Sequence, residues 1–170
     1  FLIPEGASIL DLGCGTGDLL AGLKPRRGVG VDFSEEMVNI ARDNARRAGV
    51  AHLVSFSTGD AAEITPPVAE PGHLVTNPPY GERLGELLPL VFLHHRFARQ
   101  VKANFADWTL SVFTASPELL LALRLSPDNK YALYNGQLEA TLANYKIAPG
   151  ELRSISKSAE PFANRLKKNA

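Results

Sequence analysis

The residues best suited to chemistry form one short segment, Asn77-Pro78-Pro79-Tyr80, which directly follows a predicted strand. The side-chain oxygen of Asn77 and the carbonyl oxygen of Pro78 can each accept one hydrogen bond from an amino group. Two consecutive prolines restrict the backbone, so both acceptors are preorganised. Tyr80 offers a ring on which a planar group can stack. The segment predicts a site for a planar amine; the alternative is a proline-rich turn without a ligand.

A second segment has the glycine spacing of a ligand-binding loop. It reads DLGCGTG from Asp11 to Gly17, between a predicted strand and a predicted helix. Its spacing is G-x-G-x-G, which differs from the G-x-G-x-x-G of dinucleotide-binding loops. The glycines permit a sharp turn, and the next helix offers free N–H groups to a carboxylate. Asp32 ends the second predicted strand, where a carboxylate can bind ribose hydroxyls. The alternative is an ordinary turn followed by a helix-capping aspartate.

These segments depend on an alternation of strands and helices. Strands are predicted over residues 8–12, 28–32, 53–56, 73–76, 108–113, 130–134 and 138–146, and helices over 18–23, 35–48, 86–105 and 117–123. This order predicts an α/β fold with a Rossmann-like, doubly wound, mostly parallel seven-stranded sheet. The Asn135-Gly136 turn predicts a closing antiparallel hairpin. We expect one domain over residues 1–150 and a basic tail over 151–170.

Composition excludes several classes of protein. The 170 residues include 18 basic and 18 acidic side chains, so the formal net charge is zero. Residues 1–85 carry 7 basic and 11 acidic groups, net −4, and residues 86–170 carry 11 and 7, net +4. No apolar run approaches the roughly 20 residues of a membrane-spanning helix. A single cysteine excludes an internal disulfide and suits the cytoplasm. No metal site and no obligate protein partner are predicted.

The glycine segment and Asp32 together resemble the cofactor-binding half of class I methyltransferases, which use S-adenosylmethionine. The resemblance implies that the glycine loop holds the methionine moiety and that Asp32, with Phe33 beside it, holds the adenosine. It also implies that Asp60 faces the adenine amino group and that the Ala61 N–H binds adenine N1. The loop residues implied in cofactor binding are Asp11, Gly13, Cys14, Gly15, Thr16 and Gly17, and Asn77 joins them from the second motif.

The NPPY segment resembles the catalytic signature of methyltransferases that act on exocyclic amino groups. Such a nitrogen is a poor nucleophile because its lone pair is delocalised, and Asn77 with Pro78 would favour a pyramidal nitrogen. Residues 41–170, which include NPPYGERLG, resemble bacterial large-subunit ribosomal RNA guanine-N2 methyltransferases. Tyr80 and Arg83 are the implied substrate contacts, and Glu82 is a further candidate. In that family an RNA-binding THUMP domain precedes the catalytic domain, so ribosomal RNA is the implied substrate, weakly held by this chain alone.

Residues 1–40 resemble small-molecule and quinone-type methyltransferases instead. This shift suggests a chimera, with a cofactor-binding fragment over 1–40 joined to a catalytic fragment over 41–150. The chain starts without Met, which fits an excised or engineered domain. Two alternatives to RNA methylation therefore stay open. One is an engineered scaffold that folds and binds S-adenosylmethionine with little or no catalysis, and the other is a small-molecule methyltransferase.

Two residue types are given structural interpretations. His94 and His95 are adjacent in a predicted helix, where neighbouring side chains point about 100° apart, so they suit a metal poorly. We expect surface or partly buried histidines there. Cys14 is expected to be a small packing residue in the glycine loop, because no base lies beside it in the sequence to activate a nucleophile.

Overall fold

The structure, a computed structural model, describes residues 3–79 and 84–149. Tyr80, Glu82, Arg83 and the predicted tail over 151–170 lie outside the described residues. The strands are β1 Ser8–Leu12, β2 Arg27–Asp32, β3 Val54–Thr58, β4 His73–Thr76, β5 Thr109–Thr114, β6 Asn129–Asn135 and β7 Leu138–Lys146. The helices are α1 Asp18–Leu23, α2 Glu35–Arg47, α3 Leu84–Asn104 and α4 Pro117–Ala122. These elements match the predicted ones to within a few residues at their ends.

All seven strands form one sheet in the order β3-β2-β1-β4-β5-β7-β6. The first five strands in this order are parallel, and β7 pairs antiparallel with both β5 and β6. The predicted fold class, a mostly parallel, doubly wound sheet with a C-terminal antiparallel hairpin, is confirmed. β1 and β4 are neighbours whose crossovers leave in opposite directions. This is the switch point at which doubly wound sheets bind ligands.

Helices cover both faces of the sheet because side chains alternate along each buried strand. Ile9 of β1 packs in one cluster with Leu20 of α1 and Val38 of α2. Leu10, the next residue, packs in the opposite cluster with Val101 of α3. The two faces thus hold separate apolar cores, and the strand ends that carry the polar residues emerge between them.

Local sequence signals explain where the helices begin. The Ser34 side chain accepts a hydrogen bond from the Met37 N–H at 3.3 Å and caps α2, and Pro117 occupies the first turn of α4. At the C-terminal edge, Gly136 has φ 62 in the turn between β6 and β7.

Across residues 3–79 and 84–149, no helix is long and apolar enough to span a membrane.

Candidate active site

The two predicted motifs meet where β1 and β4 end. Leu12 pairs with Thr76 in the sheet register, and the buried Thr76 hydroxyl donates a hydrogen bond to the Leu12 carbonyl at 2.9 Å. The glycine turn begins one residue after Leu12, and Asn77 follows Thr76. A Cβ placed on Gly13 would lie 4.0 Å from the backbone oxygen of Asn77. The sheet therefore brings the glycine turn and the NPP segment close together.

The glycine turn is fastened to β2 by its own backbone. The N–H groups of Gly13 and Cys14 both donate to the Val31 carbonyl, at 2.7 and 3.1 Å. Gly17 adopts φ 77, and a Cβ there would lie 2.9 Å from the Ala41 Cβ of α2. Glycine is required at Gly17 both by its backbone conformation and by the close approach of the helix.

Asp32 holds the glycine turn in place through its side chain. Its Oδ2 accepts a hydrogen bond from the Gly15 N–H at 2.8 Å, and its Oδ1 accepts one from the Ser34 N–H at 2.9 Å. The residue is buried, with 7% of its surface exposed. Each carboxylate oxygen can accept two hydrogen bonds, so capacity remains for ligand hydroxyls. The sequence offered both a ligand contact and a helix-capping role for Asp32; the bond to Ser34 at the start of α2 fits the second, and the bond to Gly15 was not predicted.

A cavity of about 850 Å³ opens at this edge of the sheet. Its volume lies within the range of about 300–1,000 Å³ that is typical of small-molecule sites. The predicted site residues that line it are Gly13, Asp32, Phe33, Asp60, Ala61, Asn77, Pro78 and Pro79. The predicted residues outside the lining are Asp11, Cys14, Gly15, Thr16 and Gly17. Both motifs thus contribute to one cavity, while most of the glycine turn lies behind its wall.

The third predicted segment lies at the same cavity. The Gly59 N–H donates to the Asp32 carbonyl at 2.9 Å, which ties the loop after β3 to the end of β2. Oδ1 of Asp60 accepts a hydrogen bond from the Ala62 N–H at 2.8 Å, and Oδ2 lies 3.9 Å from Arg96 of α3. The bond to Ala62 closes a local turn, and no helix lies between β3 and β4 for Asp60 to cap. Phe33 is 88% exposed at the cavity wall.

Asp11 is a buried carboxylate on the α1–α2 side of the site. Burial and the nearby charge of Asp32 raise its pKa from 3.8 to about 7. Within residues 3–79 and 84–149, no side chain or N–H group donates a hydrogen bond to it. A neighbouring cation is the group that would stabilise its ionised form.

Cys14 is inert at neutral pH. Burial, followed by the charges of Asp11 and Asp32, raises the pKa of its thiol to about 12. Because the thiolate is the nucleophilic form, this supports the predicted packing role of Cys14. Its side chain belongs to the core cluster under α1 and α2.

His94 is a cavity residue that the sequence treated as structural. It is 3% exposed and lines the cavity with Leu93 and Phe97 of α3. Its Nδ1 lies 2.8 Å from the Leu90 carbonyl. A carbonyl only accepts, so Nδ1 carries the proton, and burial lowers the pKa of the ring. The neutral ring therefore presents Nε2 as an acceptor. The apolar periodicity of α3 could have indicated that His94 points inward with Phe97.

No group of three or more His, Cys, Asp or Glu side chains among residues 3–79 and 84–149 is placed to hold a metal ion. The donors around the cavity are instead spread over separate loops. Their arrangement suits an organic ligand with hydroxyl, amino and cationic groups.

Comparison with known proteins decides the family. The family model described as "RMKL-like, methyltransferase domain" matches residues 21–144. The chain belongs to the RMKL-like methyltransferase domain family. The expectation of a methyltransferase related to the large-subunit ribosomal RNA enzymes is thereby confirmed.

Relatives of this RMKL-like domain are longer proteins. It is 41% identical to a ribosomal RNA large subunit methyltransferase K/L of Aeromonas hydrophila, over 82% of this chain and 22% of that protein. It is 44% identical to the protein of the same name from Alteromonas mediterranea, over 89% of this chain and 22% of that protein. The chain thus spans about a fifth of the length of these curated relatives.

The RMKL-like domain also shares its fold with a solved structure, a possible methylase from Clostridium difficile 630. The TM-score is 0.79 at 24% identity, over 89% of this chain and 51% of that one. The hypothesis of a chimera finds no support. The family model runs without a break across the expected junction near residue 40. The 89% match also covers more of the chain than residues 41–170 alone could supply.

Proposed function

We propose that this domain transfers a methyl group from S-adenosylmethionine to an exocyclic amino group of a nucleobase, guanine N2 of large-subunit ribosomal RNA. One observation carries the proposal. The glycine turn after β1 and the NPP segment after β4 follow paired strands at the switch point and line the same cavity. This arrangement supports a cofactor site beside an amine site. The names of the curated relatives support ribosomal RNA as the substrate.

The residues present fit S-adenosylmethionine. The molecule carries an ammonium and a sulfonium group, and the buried Asp11 carboxylate, outside the cavity lining but beside Asp32, favours a cation when it is ionised. Its ribose hydroxyls suit the remaining acceptor capacity of Asp32. Its adenine suits the wall formed by Phe33, Asp60 and the Ala61 N–H, which lie together on the cavity. The cofactor would supply a methyl group bound to a sulfonium, which an amine nitrogen can attack directly.

The NPP segment performs the positioning. The amide oxygen of Asn77 and the carbonyl of Pro78 accept the two N–H groups of the substrate amine, which directs its lone pair toward the cofactor side. Pro78 and Pro79 fix these acceptors, so that no reorganisation is required at the moment of transfer. Tyr80 is proposed to stack on a base that has left its helix, and Arg83 to contact guanine or phosphate.

The proposal includes the setting of the reaction. Relatives that are several times longer carry additional segments, and we propose that RNA is held mainly by such segments, including a THUMP domain. This chain alone then binds RNA weakly, and it works in the cytoplasm where ribosomal RNA is made.

Two measurements test the proposed function. Calorimetry with S-adenosylhomocysteine should give saturable binding to the folded domain. Incubation with tritiated S-adenosylmethionine and a large-subunit ribosomal RNA that lacks its guanine-N2 methyl groups should label guanine. Binding without any transfer to RNA would favour the scaffold alternative, and absence of both would reject a methyltransferase role for this domain.

A further inference from the structure

One side of α3 carries a continuous row of residues that the methyl-transfer site does not use. Leu88, Phe92, His95, Arg99 and Lys102 follow each other at intervals of four, three, four and three residues. Such spacing keeps side chains on one side of a helix. We call these five residues the α3 stripe. From Phe92 to Lys102 it extends about 15 Å along the helix axis.

Among the side chains that the structure describes, the charged part of the α3 stripe has no acidic partner. The ion pairs among residues 3–79 and 84–149 join Arg26 with Glu70, Arg46 with Asp43, and Arg96 with Asp60. His95, Arg99 and Lys102 take part in none of them. The Lys102 ammonium instead donates to the carbonyl of Arg124, after α4, at 3.0 Å. This contact adds a fourth basic residue beside the stripe.

The basic groups in and beside the stripe lower the pKa values of His95 and Lys102. Partial burial and then the charges of Arg124, Arg99 and Lys102 lower the pKa of His95. Burial and the charge of Arg124 lower the pKa of Lys102. All the charges that act on these two groups are positive, so the patch is electropositive and an anion bound there would relieve the repulsion.

The other end of the α3 stripe is apolar and exposed. Phe92 is 69% exposed and Leu88 is 52% exposed. An exposed phenylalanine in line with several basic groups suits a single-stranded nucleic acid, because bases stack on the ring while phosphates contact the charges. A carboxylate-rich protein surface would use the basic groups but would have less use for the aromatic ring.

We infer that the α3 stripe binds a single-stranded segment of the RNA substrate, with Phe92 stacked on a base and with Arg99, Lys102 and Arg124 on successive phosphates. This inference rests on the proposed function for the identity of the RNA. The side chains of α3 that line the cavity, such as Phe97, lie on the opposite side of the helix. An RNA strand with one base in the cavity would therefore pass around α3 near Leu88 and Phe92, the apolar end of the stripe. It would then follow the stripe toward Lys102.

The charge contribution is tested with a matched pair of double variants. Arg99→Gln with Lys102→Gln removes two stripe charges, and Arg47→Gln with Lys130→Gln removes two exposed charges elsewhere. The probe is a fluorescent 12-nucleotide single-stranded RNA, followed by anisotropy over a salt series. The stripe variant should bind about tenfold more weakly, and its salt slope should fall by about 1.4, or 0.7 per phosphate. The control should stay within about twofold of the wild type.

The Lys102 ammonium also donates a hydrogen bond to the Arg124 carbonyl, so its loss could destabilise the fold. The single variant Arg99→Gln avoids this effect. It should lower the salt slope by about 0.7 with unchanged thermal stability. A stripe double variant that loses no more affinity than the control pair would overturn the inference.

The stacking contribution is tested with Phe92→Ala against Tyr134→Ala. Tyr134 on β6 is 67% exposed, so the two variants remove aromatic rings of similar exposure. Phe92→Ala should weaken RNA binding by about fivefold or more without changing the salt slope, and Tyr134→Ala should have no effect. If poly-glutamate of equal charge binds as tightly as the RNA and Phe92→Ala changes nothing, the stripe is a docking surface for acidic protein and the inference fails.

Binding of S-adenosylhomocysteine distinguishes failure of the proposed methyl transfer from failure of RNA binding by the α3 stripe. It should be the same in the wild type and in all stripe variants. A domain that binds no S-adenosylhomocysteine but shows stripe-dependent RNA binding would reject the proposed methyl transfer alone. A domain that binds S-adenosylhomocysteine while its RNA affinity ignores the stripe would reject this inference alone.

Discussion

Asp11 is a buried carboxylate whose pKa lies far above its ordinary value. Its carboxyl is buried beside Asp32, with a pKa of about 7 against 3.8 in an unfolded chain. The unfolded chain therefore loses this proton near pH 4, and the folded chain keeps it until about pH 7. The contribution of Asp11 to stability is thus full at low pH and is lost as the pH rises through 7.

Asp11→Asn should change both stability and binding in a pH-dependent way. The thermal midpoint of the variant should exceed that of the wild type more at pH 8 than at pH 5, because only the ionised carboxylate is costly. Since a cationic ligand binds the ionised form, wild-type affinity for S-adenosylmethionine should rise from pH 6 to pH 8, and the variant should lose that rise. Calorimetry at both pH values measures this; an unchanged pH profile in the variant would remove Asp11 from the site.

Asp32 and Asp60 offer a matched comparison of two aspartates on the same cavity. Both oxygens of Asp32 accept backbone N–H groups, so Asp32→Asn must turn an amide NH₂ toward one of these donors. We expect a loss of about 1–3 kcal/mol in the free energy of unfolding. Asp60→Asn can keep its bond to the Ala62 N–H through the remaining oxygen, and should cost much less. Urea denaturation compares them; equal losses would show that Asp32 does not hold the glycine turn.

The site residues that the sequence predicted correctly were found from the spacing of residues within short segments. Eight of the predicted residues line the cavity because they stand at the ends of strands, where position in the chain determines position in space. The bond from the Gly15 N–H to Asp32 spans 17 residues and depends on how tightly the turn folds back. The place of His94 depends on the rotation of α3. Neither the Gly15–Asp32 bond nor the place of His94 can be predicted from a local sequence pattern.

At the scale of elements, glycines determine how closely the helices and loops approach the sheet. A Cβ on Gly30 of β2 would lie 2.4 Å from the Phe56 ring and 2.9 Å from the Cys14 sulfur. A Cβ on Gly22 of α1 would meet no atom within 4 Å. The glycine turn can lie against β2 only because Gly30 has no side chain.

Gly30→Ala and Gly22→Ala should therefore change stability in opposite directions. Overpacking at Gly30 should cost about 1–3 kcal/mol and weaken S-adenosylhomocysteine binding by displacing the glycine turn. Gly22→Ala should stabilise α1 by about 0.5–1 kcal/mol, because alanine loses less backbone entropy in a helix. Thermal denaturation and calorimetry measure both effects. A neutral Gly30→Ala would show that the turn tolerates displacement.

The elements themselves were predictable because each carries its own signals: buried apolar runs, the Ser34 cap, Pro117 and the Asn135-Gly136 turn. Their order then restricted the topology to a doubly wound sheet. The exposure of all seven residues of β6 was not predictable, since residues 131–134 form an apolar and aromatic run of the kind that is usually covered.

At the scale of the whole molecule, neutrality is the sum of two differently charged regions. The acidic half supplies Asp32 and Asp60 on the cavity lining and the buried Asp11 outside it, and the basic half supplies the α3 stripe. The expected junction near residue 40 reflected a local likeness of the glycine segment to other methyltransferases. One family model spans that position, so the likeness is no evidence of separate ancestry.

The most direct test of the central claim is a side-by-side measurement on Asn77→Ala. Methyl transfer to large-subunit ribosomal RNA and calorimetric binding of S-adenosylhomocysteine are measured for this variant and for the wild type. We predict that transfer is abolished while affinity for S-adenosylhomocysteine stays within a few fold, since Asn77 acts on the amine. Loss of both to the same extent would contradict it and would make Asn77 a structural residue of the cavity.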